Sequence, residues 1–550
     1  MRFVRQFSVI LLLLTPLVLV GTVVLFYAIN IPYWDDYKVQ DQLQMLVNQP
    51  SAGQKIQHLF DQHWEHRIVW TRLIFLAFYT FSGQLNYYGL TLIGVSGLLV
   101  LVGILFAAFR RLNLPLAYFI PVPFWLCTLQ SHENLIWAMA SIQNFYVLVF
   151  AVGTFYALAQ NTPAGRWLAA GLGVMATFTS GNGPIVLIAG GCVLGLQRNG
   201  RWLGGWVVLT AGCLLGYFHN YQRVSFFPSP FKYGYGDWVK AFFVFLGGFL
   251  DPYPYSGLMA VGYQNPLTLI MVLGLALALA MAYFGVTSQV RRRLAVGFWD
   301  DFFAGISLFL LATAVITVFS RVGFAGPGYL LQGRYKVYPA LALSSVYLYS
   351  LYRWSKMPFF RPYATGVAVT TVAFSLFTSY LCLEGIINQQ RRTVSAYVTW
   401  LSETPRPTQA VTARMYTPPP LSAAADTTFL HNTDLLTAPS TAQLGPIDDQ
   451  PFLYNIAKLN ALNPTPDQPL AGSYIVLKSP AHSYVFAARP RRPGPLALSG
   501  LTRYFTADTF YAQVLKENLE PGRYRLGILS RRADRSTVQM TDQYVTFRGL

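Results

Sequence analysis

Charge is scarce in this sequence. Asp, Glu, Lys and Arg make up 11% of its 550 residues, under half the roughly one-quarter share usual in soluble domains, so water is not its main solvent. Acidic charge is scarcer still: 22 Asp and Glu face 40 Lys and Arg, a formal net charge of +18. In a soluble chain that surplus would point to nucleic acid. Here the basic residues fall in short loops between apolar blocks, where they set orientation across a bilayer, and nucleic acid is excluded as a partner. Cysteine is nearly absent. The four present, Cys127, Cys192, Cys213 and Cys382, all sit in apolar blocks, which excludes a disulfide framework and a cysteine metal site and leaves small packing residues. There is no internal repeat of fixed period.

What is abundant is apolar: 54% of residues are hydrophobic, in blocks of the length a helix needs to cross about 30 Å of hydrocarbon. Phe7 to Asn30 is too long for a signal-peptide core and lacks a small-residue cleavage site, so it is expected as an uncleaved first span with a cytoplasmic N-terminus. Further spans are expected at 87–109, 114–130, 135–159, 166–180, 183–197, 202–220, 264–286, 302–320, 337–353 and 363–385. Arg110 and Arg111, Arg166, Arg198 and Arg201, Arg291 to Arg293, and Arg353, Lys356 and Arg361 fall where alternation requires cytoplasmic loops. About eleven crossings from an inside start put the C-terminus outside. Ile68 to Ser82 and Val239 to Leu250 are shorter and are expected to lie at the interface or re-enter.

From about residue 386 the character changes. A Pro-, Thr- and Ala-rich stretch precedes β-like runs at Ser473 to Lys478, Ser483 to Arg489, Thr509 to Lys516, Arg523 to Ser530 and Tyr544 to Arg548, bounded by turn residues. The expected organisation is a transmembrane domain over 1–390 with a first outer loop at 31–86, a linker over 391–465, and an outer β-sandwich-like domain over 466–550.

Four polar clusters are expected on the same outer face. Asp35 and Asp36 emerge directly from the first span among aromatics that favour the membrane interface; a carboxylate there suits a general base toward an acceptor hydroxyl, or simply ends a helix as a solvated pair. Downstream in the same loop three of the seven histidines lie within nine residues. His63 and His66, three apart, would share a helical face and with Asp35 and Asp36 could ligate a divalent ion such as Mg, Mn or Zn, although the spacing matches no standard zinc signature. Glu65 lies between them, and Arg67 is placed to meet a phosphate. His132 and Glu133 form a third cluster at the outer turn between the third and fourth spans, and Asn182 lies in a tight outer turn between the fifth and sixth. The fourth is the Gly-rich stretch from Ser320 to Lys336, where Arg321, Arg334 and Lys336 suit a phosphate or diphosphate, or snorkel to lipid headgroups.

The acidic pair at Asp35-Asp36, the membrane-surface helices expected over about 38–82, the roughly eleven spans, the late loop with Arg321 and Arg334 and the C-terminal outer domain together resemble the glycosyltransferase-C superfamily. The resemblance covers the architecture, but its only sequence motif is two residues long. The oligosaccharyltransferase-type Trp-Trp-Asp motif is absent from the C-terminal region. The resemblance implies that Asp35 or Asp36 is the base or metal-binding acid and that the donor is a polyprenyl-phosphate or polyprenyl-diphosphate sugar. The resulting expectation is an inverting glycosyltransferase in a bacterial cytoplasmic membrane, with membrane lipids, the lipid-linked donor and a glycan or lipid acceptor as partners. Arg321, Arg334, Lys336 and Arg67 would hold the donor phosphate. His63, Glu65, His66, His132, Glu133 and Asn182 would shape the pocket. A flippase for lipid-linked glycans and a non-catalytic anchor for the β domain are the alternatives.

Overall fold

The computed structural model describes residues 2–224, 227–260, 264–292, 297–402, 415–416, 433–458, 472–490, 510–531 and 536–549. Arg293 and most of the Pro- and Ala-rich stretch lie outside them. The chain divides into two compact units, one of Met1–Ala28 with Trp34–Leu383, the other of Ile29–Tyr33 with Glu384–Leu550.

The first unit is helical. After α1 (Arg2–Tyr27), the first loop folds as α2 (Asp35–Asn48), α3 (Ala52–Leu59) and α4 (Val69–Ser82). In α2, Val39, Leu43 and Leu46 recur at helical spacing and are buried, which seats it on the bundle. α5 (Tyr87–Arg110) starts where the Asn86 side chain accepts from Gly89 N, a cap for an otherwise orphaned amide. α6 (Pro121–Leu126), α7 (His132–Ile136) and α8 (Ala138–Ala159) follow, then α9 (Pro163–Thr177), α10 (Pro184–Leu196), α11 (Gly200–Phe218), α12 (Tyr235–Gly247), α13 (Leu267–Arg292), α14 (Phe298–Ala325), α15 (Val337–Trp354) and α16 (Phe360–Ser402). α12 and α13 meet at paired glycines, Gly247 against the Ile270 carbonyl and Gly274 against the Phe243 carbonyl. A side chain at either would force the backbones apart.

Among the described residues six helices are long and apolar enough to cross a membrane: Gln6–Tyr27, Tyr87–Arg110, Ala138–Ala159, Leu267–Ser288, Phe298–Ala325 and Phe360–Thr399. The span expected at 114–130 is instead a broken segment, with Leu116–Phe119 a 3-10 turn, then α6, then another 3-10 turn at Leu129–Ser131. Pro115, Pro121 and Pro123 supply no amide hydrogens and so prevent one continuous ladder. Those expected at 166–180 and 183–197 are helices of 15 and 13 residues, below the roughly 20 that a perpendicular crossing needs. α4 and α12, at 14 and 13 residues, are short as expected.

The second unit combines the end of α16 with one antiparallel seven-stranded sheet, formed as a half-barrel rather than the two packed sheets expected. In chain order the strands are β1 (Ile447–Asp449), β2 (Leu453–Lys458), β3 (Gly472–Lys478), β4 (Ser483–Pro490), β5 (Phe510–Leu515), β6 (Gly522–Arg531) and β7 (Ser536–Phe547), arranged β1-β2-β5-β4-β3-β6-β7. β3 shows why one sheet suffices. Its alternate residues Ile475 and Leu477 enter a core with Tyr484, Tyr524 and Phe547. Tyr474 and Val476 pack on the other face against Val394, Tyr397 and Val398 of α16, so the helix does the work of a second sheet. The domain therefore begins before residue 466: 391–402 is helix, and β1 and β2 fall inside the expected linker, whose positions 403–414, 417–432 and 459–471 lie outside the described residues.

Candidate functional site

Two tryptophans in strained backbone frame Asp35. Trp34, ahead of α2, has φ 48°, and Trp64 has φ 51°, the left-handed region that favours glycine. Trp64 sits in a tight turn closed by His63 N to His66 O at 2.7 Å and His66 N to His63 O at 2.8 Å. In that turn its indole Nε1 donates to Asp35 Oδ1 at 2.9 Å, while the Lys38 ammonium covers its ring 3.3 Å from the centroid. The Trp34 ring stacks on Trp137 at 5.9 Å. Strain of this kind persists where surroundings over-determine it, and here both distortions present the same carboxylate.

The adjacent acids have different fates. Asp35 is half-buried, and the Trp64 indole is its hydrogen-bond partner among the described residues. Asp36 is 1% exposed and its Oδ1 accepts Met139 N at 2.9 Å, capping the start of α8.

The His63–His66 turn carries Glu65 to Arg321, 256 residues away, and the two form an ion pair. Arg321 Nε also donates to the Tyr335 hydroxyl at 3.1 Å. On the other side Glu133 Oε2 accepts Arg334 N at 2.8 Å, Asn134 Nδ2 donates to Arg334 O at 3.0 Å, and Glu133 Oε1 lies 3.7 Å from Arg334 Nη1. Tyr335 lies between the two guanidiniums. Burial alone would raise its phenol, but Arg334 and Arg321 outweigh burial and hold it below the ordinary tyrosine value.

His66 reports that these segments converge. Its ring is pushed below the ordinary histidine value by burial first; Glu65 and Asp35 oppose the shift, while Arg321 and Arg334 reinforce it. One imidazole thus feels charges from the α2 start, the turn, the end of α14 and the loop before α15. Its Nδ1 rests on Gly181, where any side chain would collide with the ring.

Other expected site residues are spent elsewhere. Arg67 donates to the carbonyls of Phe60, Tyr217 and His219, so its guanidinium closes the end of α11 rather than meeting a phosphate. Lys336 is 2% exposed and bound to Asp251 Oδ2 at 2.6 Å and Gly248 O at 2.9 Å, which removes it from phosphate contact. His132 is buried against Gly333. Asn182 points into the helical interior, donating to Tyr338 at 3.1 Å. His63 is fully buried with Nδ1 3.1 Å from Gln42 Oε1. Sequence reasoning gave Trp64 and Tyr335 no role, although both lie inside the clusters it singled out.

A divalent ion does not fit the expected donors. Asp36 is committed to α8, and the surroundings of His63 are cationic, with burial, Lys38 and Arg72 all driving its ring well below the ordinary value. Among the described residues no three of His, Cys, Asp or Glu converge as metal ligands. The arrangement instead offers one turn that holds a half-buried carboxylate through Trp64 and an arginine through Glu65, that arginine being tied to a second through one phenol. The chain matches no family model, no curated protein and no solved structure.

Proposed function

We propose that the protein is a membrane glycosyltransferase that moves a sugar from a polyprenyl-phosphate donor to an acceptor hydroxyl on the outer face of a bacterial cytoplasmic membrane. The observation that carries this reading is that the His63–His66 turn holds Asp35 through Trp64 and Arg321 through Glu65, with Arg321 joined to Arg334 through Tyr335. These residues come from sequence-distant segments of a chain whose long apolar helices suit a bilayer. A lipid-linked sugar phosphate has the matching form: an apolar tail for the lipid, an anion for the arginines, and an anomeric carbon beyond it.

In this reading Asp35 accepts the proton of the acceptor hydroxyl as its oxygen attacks the anomeric carbon. The bond to the phosphate oxygen breaks, its electron pair leaves with the polyprenyl phosphate, and the anomeric configuration inverts. Arg321 and Arg334 stabilise the growing phosphate charge, and Tyr335 keeps their guanidiniums together. The Trp64 N–H fixes Oδ1 of Asp35 and leaves Oδ2 for the acceptor. No step passes through a metal ion.

The test is sugar transfer by purified full-length protein, using polyprenyl-phosphate sugars extracted from the bacterial membrane as donor. Asp35→Asn, with an unchanged thermal unfolding midpoint, is expected to lower turnover by about 10²–10⁴-fold, the usual worth of a general base. Unchanged turnover would remove the assignment.

A further inference from the structure

The two carboxylates beside the arginines are built differently. Glu133 is anchored, its Oε2 held at 2.8 Å by the Arg334 backbone amide. Glu65 is held at one oxygen. Its Oε1 meets Arg321 and also lies 3.5 Å from His66 Nε2, while Oε2 is buried without a hydrogen-bond partner among the described residues. His66 Nδ1 likewise has none, resting on Gly181, so the neutral ring is best satisfied with its proton on Nε2, facing Glu65. A permanent ion pair in this fold looks otherwise. Asp251 Oδ2 accepts from Lys336 at 2.6 Å and its Oδ1 from Asn265 at 2.9 Å, leaving neither oxygen unsatisfied. A buried carboxylate with one idle oxygen and a second donor within reach can change partner at little cost.

We infer that Glu65 is an exchangeable counter-ion for Arg321: it neutralises the guanidinium at rest, moves to His66 Nε2 when a phosphate group arrives, and leaves Arg321 to that phosphate. The inference rests on the phosphate-binding reading above. Only hydrogen-bond partners change, and no covalent bond or proton is transferred. Glu65 then acts as a specificity-determining residue, because a neutral glycolipid offers nothing to replace it on Arg321, whereas a phosphodiester does.

The test measures binding of farnesyl methyl phosphate, a singly charged prenyl phosphodiester without sugar, to the full-length protein in lipid nanodiscs. Glu65→Gln is expected to bind it several-fold more tightly than wild type, since no carboxylate competes for Arg321, and Glu65→Ala, as a second variant, should tighten it too. His66→Phe should weaken binding, because the displaced carboxylate then has no donor to receive it. A merely structural Glu65 would give weaker binding in both Glu65 variants, and weaker or unchanged binding overturns the exchange. Arg321→Gln separates the two ideas. If wild type does not bind the probe, or Arg321→Gln binds it as well as wild type, the phosphate reading itself fails. If Arg321→Gln loses binding while the Glu65 variants gain none, only the exchange fails.

Discussion

Lys336 and Arg334 are two residues apart, yet they stand in opposite kinds of site. Lys336 is enclosed, with Asp251 and the Gly248 carbonyl taking its ammonium protons and the Gln130 amide tying down the same Asp251 backbone at 2.9 Å. Arg334 is clasped through its backbone by Glu133 and Asn134, while its side chain meets a carboxylate oxygen at 3.7 Å and the Tyr335 phenol. Arg67 repeats the first pattern, with three backbone carbonyls on its guanidinium, whereas Arg321 gives one donor to the Ser320 carbonyl and the others to Glu65 and Tyr335. All four are cations within the clusters that the sequence singles out. What separates a structural cation from a candidate functional one is whether its donors go mainly to backbone carbonyls or mainly to side chains.

The largest effect expected from that contrast is on stability. Lys336→Met strands the Asp251 carboxylate, 0% exposed, without its cation, and removing one member of a buried pair costs about 3–5 kcal/mol. Thermal unfolding should show that loss, and the double variant Lys336→Met with Asp251→Leu should recover much of it. If Lys336→Met unfolds like wild type, the division between enclosed and open cations breaks down.

Arg334→Gln should do the reverse. The Glu133 and Asn134 bonds to its backbone remain, so the unfolding midpoint should barely move, while transfer falls by about 10²–10³-fold, the usual cost of one electrostatic stabiliser of a leaving oxyanion. A large stability loss with turnover per folded molecule preserved would place Arg334 with Lys336.

The same contrast explains what could be read from the chain alone. Strands β3 to β6 were legible within one or two residues because side chains such as Ile475 and Leu477 alternate with Tyr474 and Val476, and both sets are apolar enough to mark a covered strand. β1 and β2 were not, since Asp448, Asp449 and Asn455 give short strands no apolar period. The segment at 114–130 has a span's composition, but its three prolines count more than its hydropathy. Of the site, the residue types were legible and their assignment was not. Asp35 and Asp36 have the same local sequence context, and only the arrival of the Met139 amide, 103 residues away, decides which one is used up.

His63 sharpens the comparison through pH. In the unfolded chain its ring titrates near about 6.5. In the fold, burial first, then Lys38 and Arg72, push it well below that. Between those two values the unfolded chain binds a proton that the native protein does not, so the contribution is fully present above pH of about 6.5 and is lost below it, by at most about 1.4 kcal/mol per pH unit. Thermal unfolding at pH 7.5 and 5.5 should show a fall in wild type that His63→Leu reduces, even though that variant loses the Gln42 hydrogen bond at both pH values. An equal fall in both proteins would mean His63 is not enclosed as its neighbours imply.

The smallest effect separates the two aspartates. Asp36 Oδ1 satisfies one amide at the start of α8, where a carboxylate also meets the positive end of the helix dipole, so Asp36→Ala should cost about 1 kcal/mol, the usual worth of such a cap. Asp36→Asn keeps the acceptor and should recover most of it. Turnover per folded molecule should survive Asp36→Asn, because that carboxylate is buried and its Oδ1 is taken by the Met139 amide. Asp35→Asn should show the opposite pattern, with stability retained and transfer lost. Should Asp36→Asn instead abolish transfer in a protein of unchanged stability, the roles within the pair are reversed, and Trp64 is holding the wrong carboxylate.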